Sequence, residues 1–325
     1  MNWKSLSAAW WLVGAAVTAS PAAETPSIEY ALVIHGGARG SLGGSSEEEK
    51  KAQEKSLEQA LSIGLKILAN GGEALDAVEQ TILHLENDPL FNAGRGAVYN
   101  SEGGHELDAS LMDGRTRACG AVAGVTTVKN PIGLARLVMT KTRHVLLAGA
   151  GAERFADEMH VERVENSYFD TPQRREDWRR VQQDQKAAED STKGTVGCVA
   201  LDRRGNLAAG TSTGGLTNKK FGRVGDSPII GAGTYAQNST CGVSCTGTGE
   251  EFIRNAVAYQ ISARMQFGHA TLADAVEQVV QHTLRRGDGG VIAIDHRGRM
   301  SMQFNTPGMA RGWADSTGKF QAWSH

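Results

Sequence analysis

The chain has 325 residues, 34 Lys+Arg against 36 Asp+Glu for a formal net charge of −2, and 40% hydrophobic residues. That length supports one large domain or two modest ones with an ample core, and the balanced charge excludes counterion-driven capture of nucleic acid, since no Lys/Arg cluster stands free of acids. Forty glycines without a G-X-Y period exclude collagen and point to a globular chain rich in tight turns.

In chain order, Met1–Ala22 reads as an export signal: one positive charge at Lys4, an apolar stretch from Ala8 to Val17 too short to span a bilayer, and Ser20-Pro21-Ala22 ahead of a cleavage point. The mature chain is then expected to start at Ala23 as a soluble, exported, periplasmic protein with no membrane contact. Glu29–His35 is a β run ending in Gly36-Gly37. Ser46 and Glu49 form a capping box ahead of an amphipathic helix with Leu57, Leu61, Leu65 and Leu68 inward, stopped at Gly71-Gly72. A second helix covers Glu73–Glu86, with Ala74, Ala77, Val78, Ile82 and Leu85 inward. Ala121–Lys129 reads as a strand, Pro131–Thr140 as a short helix and Arg143–Ala148 as an apolar run.

From Val161 to Gly194 charges mix without apolar periodicity, and the segment is expected to be a flexible surface linker. Beyond it, Val196–Leu201 and Leu207–Ser212 flank a turn at Asp202–Asn206 as a hairpin. Helices follow at Glu250–Gln266 and Thr271–Arg286, then a last hairpin of Val291–Asp295 and Met300–Phe304. Strands and helices on both sides of the linker give an α/β protein built from two segments.

The cysteines are Cys119, Cys198, Cys241 and Cys245. Cys241 and Cys245 lie four apart in a strand, on one face and about 13 Å apart at strand rise, too far to bond each other. No metal-ligand spacing occurs, so buried free thiols are the expectation.

Two motifs mislead. Gly149-Ala150-Gly151 opens like a dinucleotide fingerprint, but Arg154 stands at the third glycine. Gly210-Thr211-Ser212-Thr213-Gly214 is a literal G-x-S-x-G, with His35-Gly36-Gly37 upstream and Asp288 and His296 downstream in hydrolase order. A nucleophile elbow requires a helix directly after its serine, whereas Gly214-Gly215 and later Pro228 follow here.

Gly194-Thr195-Val196-Gly197 explains more. If the chain is cut before Thr195, that residue carries a hydroxyl and an α-amine of ordinary pKa about 8, so nucleophile and base share one residue. Only Ser, Thr or Cys can make that cut by side-chain attack on the preceding carbonyl, and Gly194 lets the backbone bend for it.

These residues, with Gly210–Gly215, Gly222-Arg223-Val224-Gly225-Asp226-Ser227-Pro228, Gly231–Gly233, Cys245–Glu250, His35–Ala38, Asn92–Gly96, Leu107–Gly114 and Val128–Pro131, resemble the plant-type L-asparaginase / isoaspartyl aminopeptidase family of N-terminal-nucleophile hydrolases. The motifs fall in order over essentially the whole mature chain.

The resemblance implies an α+β fold, a four-layer αββα sandwich, made from two autocleaved segments, Ala23–Gly194 and Thr195–His325, that assemble as a dimer of such pairs. It implies Thr195 as nucleophile toward asparagine or β-aspartyl dipeptides, Thr213 as the residue orienting it, and Thr246 and Gly247 as oxyanion donors. Arg223 and Asp226 would take the substrate's α-carboxylate and α-ammonium, with Thr246, Gly247 and Gly249 also at the substrate. Asn92 would assist the cut at Gly194-Thr195. No organic cofactor is implied. A structural sodium ion is, held through backbone carbonyls of Leu85, Glu86, Asp88, Phe91, Ala93 and Arg95.

Arg39, Arg95, Cys241 and Cys245 depart from the family's usual residues without touching the nucleophile's chemistry. The nearest alternative, glycosylasparaginase, shares the nucleophilic threonine, but its usual asparagine after the second threonine is Gly214 here, and Thr248 and Glu250 replace its Asn and Asp. An exported amino-acid-binding protein that never cuts itself is the non-enzymatic alternative.

Overall fold

A computed structural model describes Met1 and residues 28–39, 46–183 and 194–325, with Arg39 described in its backbone alone. Apart from Met1, the expected export signal lies outside the described residues, as does the end of the expected linker, 184–193.

The fold is α+β. Strand β1 (Ala31–Arg39) sits inside an eight-stranded sheet with β2 (Leu107–Asp113), β3 (Cys119–Val125), β4 (Leu146–Ala148), β5 (Val196–Leu201), β6 (Leu207–Thr213), β11 (Gly308–Asp315) and β12 (Phe320–Trp323), ordered β12-β11-β1-β5-β6-β2-β3-β4. The second sheet orders β10 (Met300–Phe304), β9 (Gly289–Asp295), β8 (Cys241–Gly247) and β7 (Thr234–Ala236). Central strands of the large sheet are buried on both faces, so their side chains divide by parity. Leu32 and Ile34 enter one core cluster while Ala31 and Val33 enter another; Cys198 and Ala200 part from Val199 and Leu201 in the same way.

Helices α1 (Glu47–Ala69), α2 (Ala74–Asn87) and α3 (Pro131–Lys141) pack on the first face, and the small sheet meets β1, β5 and β6 on the second. Helix α1 opens as expected: the Ser46 Oγ accepts from Glu49 N at 3.2 Å and the Glu49 carboxylate accepts from Ser46 N at 2.8 Å. It ends at Gly71, φ +79°, with Gly72 N donating back to Ile67 O at 2.9 Å. Both expected hairpins form, β5–β6 and β9–β10.

Three expectations need correction. The linker is not featureless over 161–183, because a 3₁₀ turn (Asn166–Phe169) follows α4 (Gly149–Glu158) and then α5 (Pro172–Gln183) forms. Its anchors are polar and aromatic rather than an apolar stripe: Arg174 Nε donates to Gly96 O at 2.8 Å, Trp178 stacks on Tyr99 at 5.4 Å, and Asp170 meets the buried His105 Nε2 at 3.0 Å. Hydrophobic periodicity carries no trace of such contacts.

The helix expected over Glu250–Gln266 is two, α6 (Gly249–Arg254) and α7 (Val257–Gly268), broken where Ala256 turns left-handed at φ +46°. Ala258 N and Tyr259 N donate to Ala232 O and Gly231 O at 3.1 and 2.8 Å, so a neighbouring turn captures the donors a continuous helix would use. The helix expected over Thr271–Arg286 is α8 (Leu272–Glu277), capped by Thr271 and continued as a π-helical turn over Gln278–Thr283. Strands β2, β7, β11 and β12 and helix α4 were not expected.

All four cysteines are free thiols, with Cys198, Cys241 and Cys245 buried. Among the described residues no helix is long and apolar enough to cross a membrane.

Candidate active site

Thr195 immediately precedes β5, at the centre of the large sheet, where burial holds it at 7% exposure. Its Oγ1 donates to Gly194 O at 2.6 Å and stands 3.1 Å from Thr213 Oγ1 at the end of the adjoining β6. The Gly194 carbonyl gathers two further donors, Asn92 Nδ2 at 2.8 Å and Thr213 Oγ1 at 3.2 Å. Asn92 is itself fixed: Nδ2 also donates to Gly215 O at 2.8 Å and Oδ1 accepts from Val98 N at 3.0 Å. A Cβ on Gly194 would lie 2.6 Å from that of Asn92, so the glycine is what admits the amide.

A small cleft opens here, lined by Gly194, Thr195, Thr213, Gly215, Leu216, Arg223, Gly225, Asp226, Ser227 and Gly247. The structure thus brings together the expected nucleophile, its orienting threonine and the expected substrate anchors from motifs far apart in sequence. Thr246 is buried in β8 just before Gly247, where its Oγ1 accepts from Ala38 N at 3.0 Å and keeps its own proton to donate. Gly249 stands behind the anchors rather than on the wall; a Cβ there would lie 2.7 Å from Arg223 Nη2 and 2.9 Å from Asp226 N.

Asp226 is buried at 5% exposure, its Oδ2 lacks a hydrogen-bond partner among the described residues, and burial pushes its pKa up to about 7. A buried carboxyl with an orphan oxygen beside a cleft suits an incoming cation. Arg223 does not pair with Asp226: its Nε and Nη2 grip both oxygens of Glu250 at 3.0 and 2.9 Å, which holds the Glu250 carboxyl below the usual range. That pairing escaped the sequence because Glu250 is 27 residues away, at the start of α6. Leu216 also escaped, being one apolar residue in a glycine-rich turn with no periodic signal.

Ser212 of the literal G-x-S-x-G is buried near the end of β6 and donates to Glu86 Oε1 at 2.6 Å. Asp288 is occupied with Arg285 N at 2.7 Å, and no helix follows the serine, so the serine-hydrolase geometry is absent.

The Leu85–Gly96 turn presents carbonyl oxygens inward. A Cβ on Gly94, φ +49°, would lie 2.2 Å from Glu86 O, and one on Gly96 would lie 2.1 Å from Phe91 O. Among the described residues no group of three or more His, Cys, Asp or Glu side chains could hold a metal ion, so a sodium ion here would depend on backbone carbonyls. Gly94→Ala is expected to cost about 2–4 kcal/mol in denaturant unfolding, because the new methyl meets backbone and the left-handed φ is unfavourable.

The Glu86 side chain, by contrast, faces the core. It accepts from Ser212 Oγ, Ile132 N at 3.0 Å and Asn130 Nδ2 at 3.1 Å, yet burial dominates and lifts its pKa from 4.5 to about 7. A raised folded-state pKa means stability present in full below about pH 4.5 and withdrawn as pH climbs to about 7, by about 3 kcal/mol. Glu86→Gln is expected to cancel that slope, so its stability relative to wild type rises by about this amount between pH 4.5 and 7.5 in urea titrations.

With the geometry in hand, the comparisons with known proteins agree. The asparaginase family model matches residues 28–322. An isoaspartyl peptidase of Salmonella typhimurium is 49% identical over 295 residues, spanning 87% of this chain and 94% of that protein. A probable isoaspartyl peptidase/L-asparaginase 2 of Arabidopsis thaliana is 44% identical across 89% of this chain and 97% of its own length. The mouse isoaspartyl peptidase/L-asparaginase is 40% identical across 94% and 93%. A match over nearly the whole chain places this protein in the asparaginase family.

Proposed function

We propose that the protein is a threonine-dependent amidohydrolase that cuts itself at Gly194-Thr195 and then hydrolyses β-aspartyl dipeptides and L-asparagine to aspartate plus amine or ammonia. One observation carries this reading: Thr195 Oγ1 rests on the Gly194 carbonyl, and Asn92 and Thr213 already donate to that oxygen.

In self-cleavage, Thr195 Oγ1 bonds to the Gly194 carbonyl carbon while its proton passes to the scissile nitrogen. Charge building on Gly194 O is met by Asn92 Nδ2 and Thr213 Oγ1, donors in place before the reaction and so free of reorganisation cost. The carbon–nitrogen bond breaks, and water then hydrolyses the ester, leaving a Gly194 carboxylate and a free Thr195 amine.

That amine, with an ordinary pKa of about 8, is the base for the second reaction. It takes the Oγ1 proton as Oγ1 attacks the substrate's side-chain carbonyl, then hands it to the departing amine; water releases aspartate from the acyl-enzyme. Thr246 Oγ1, its lone pair engaged by Ala38 N, and the Gly247 backbone would steady the oxyanion. Asp226 would hold the α-ammonium, and Arg223 the α-carboxylate while sharing its fork with Glu250.

The same reading takes the two faces of the large sheet as part of an αββα sandwich, with helices outside each sheet, and two such cleaved pairs as the assembly. The carbonyls of Leu85, Glu86, Asp88, Phe91, Ala93 and Arg95 would hold a sodium ion, which when bound clamps the loop leading to Asn92. Export to the periplasm is part of the reading and rests on the composition of Met1–Ala22.

Incubating purified protein and following it on a denaturing gel, with aspartate release from asparagine, β-aspartyl-leucine and N-acetylglucosaminyl-asparagine, tests the whole. Two bands and turnover of the first two substrates are expected. A single persistent band defeats the enzyme reading, and turnover of the glycosylated substrate alone would move the protein to the glycosylasparaginase branch.

A further inference from the structure

Between the two sheets runs a row of polar side chains that do not line the cleft. His35, Gly197, Thr211 and Ser110 face one another across four adjacent strands, β1, β5, β6 and β2. Opposite them, in the small sheet, Thr234 and Ser244 are cross-strand partners on β7 and β8. All five polar side chains are fully buried.

The contacts form one string. His35 Nδ1 lies 3.0 Å from Thr195 O and Nε2 lies 3.0 Å from Ser244 Oγ. Ser244 Oγ is 2.7 Å from Thr211 Oγ1, which is 2.6 Å from Thr234 Oγ1; Ser110 Oγ is 2.9 Å from Thr234 and 2.6 Å from Ser227 O. Ser227 follows Asp226. Gly197 is the gap that lets the string cross, since a Cβ there would lie 2.0 Å from Ser244 Oγ and 2.3 Å from His35 Nε2.

Its polarity follows from bookkeeping of protons. Thr195 O is a carbonyl and only accepts, so His35 Nδ1 carries the hydrogen and Nε2 accepts from Ser244; Thr211 can then donate to Ser244, and Thr234 to Thr211, while the single Ser110 proton serves either Thr234 or Ser227 O, so the string of donors ends at Thr234. Burial keeps the ring neutral, its pKa down at about 3. Polar groups of this kind cost stability in a core unless fully satisfied, and apolar residues would fill the same space more cheaply.

We propose that this string is a positioning device: His35, as its Nδ1–H tautomer, grips the Thr195 carbonyl and is itself held through Ser244 by Thr211 and Thr234. The inference rests on the reading of Thr195 as an N-terminal nucleophile. Once the Gly194 bond is cut, Thr195 has lost its upstream tether, and chain ends fray unless held. Its carbonyl is the backbone group left to fix how amine and hydroxyl point, and misplacement of about 1 Å at a reacting centre can cost 10²-fold. His35 is therefore a positioning residue, not a catalytic one.

An Asn at position 35 places its amide nitrogen near that of Nδ1, whereas Gln places it near Nε2. On cleaved protein, His35→Asn is expected within about fivefold of wild-type kcat, while His35→Gln and the milder Ser244→Ala lose about 10–100-fold and about 3–10-fold in kcat, with KM for asparagine and β-aspartyl-leucine unchanged within twofold. Equal losses in the Asn and Gln variants, or losses confined to KM, would overturn the proposal. Nitrogen-15 shifts of the His35 ring in the wild-type protein, assigned by the signal missing in His35→Gln, provide a readout independent of turnover. The neutral Nδ1–H form is expected, and the Nε2–H form refutes the grip. If wild-type protein releases aspartate from neither substrate, the nucleophile reading fails, and the tautomer still decides whether His35 holds Thr195.

Discussion

Thr195→Ala is expected to leave one uncut chain and to lower aspartate release from asparagine by at least about 10⁴-fold, as removal of a nucleophile does elsewhere. The change deletes the hydroxyl that rests 2.6 Å from the Gly194 carbonyl oxygen, and the neighbouring Thr213 Oγ1, at 3.2 Å, is held by donating to that oxygen and accepting from Gly215 N at 3.0 Å. On the proposed mechanism processing also bares the base, so both reactions should be lost together. A denaturing gel with mass spectrometry of the smaller band checks this; in wild type its first residue should be Thr195, and cleaved Thr195→Ala protein would refute the assignment. Thr195→Ser keeps the hydroxyl and should still process.

Asp226→Asn separates binding from maturation. The carboxyl lies in the cleft but makes none of the hydrogen bonds around Gly194 O, so the variant should cut itself normally. Its kcat/KM should fall by about 30- to 4,000-fold, corresponding to the roughly 2–5 kcal/mol that follows loss of one partner in a buried charge pair. The pH profile carries the sign. Burial holds Asp226 protonated up to about pH 7, and only its ionised form pairs with an ammonium, so kcat/KM is present above about 7 and lost below. The Thr195 amine must also be neutral, which makes the wild-type acid limb approach slope 2 in log kcat/KM. In Asp226→Asn the slope should drop toward 1; an unchanged slope would remove Asp226 from ammonium recognition.

Much of the site was legible in the linear chain. Thr195 and its glycine could be named as candidates from their own chemistry, and the Arg223 and Asp226 loop, Asn92 and Thr213 from the resemblance, because a short motif keeps its residue types and order whatever the rest of the fold does. The capping box at Ser46 and the two hairpins were equally legible, because caps and tight turns are decided by residues within a few positions of one another.

What tertiary structure alone decided are interactions between residues distant in sequence. Helix α5 is anchored by Arg174, Trp178 and Asp170 against a loop some seventy residues earlier, so its sequence reads as linker. Ala256 breaks a helix whose pattern is continuous because the turn at Gly231–Ala232 claims the next donors. Arg223 finds Glu250 only in the folded chain, His35 finds Thr195 only when β1 pairs with β5, and His35 finds Ser244 only when the two sheets stack. Periodicity records which face of an element is apolar; it cannot record which polar group waits on the other side. Residue types and short motifs therefore named the candidate groups, and packing decided which of them meet.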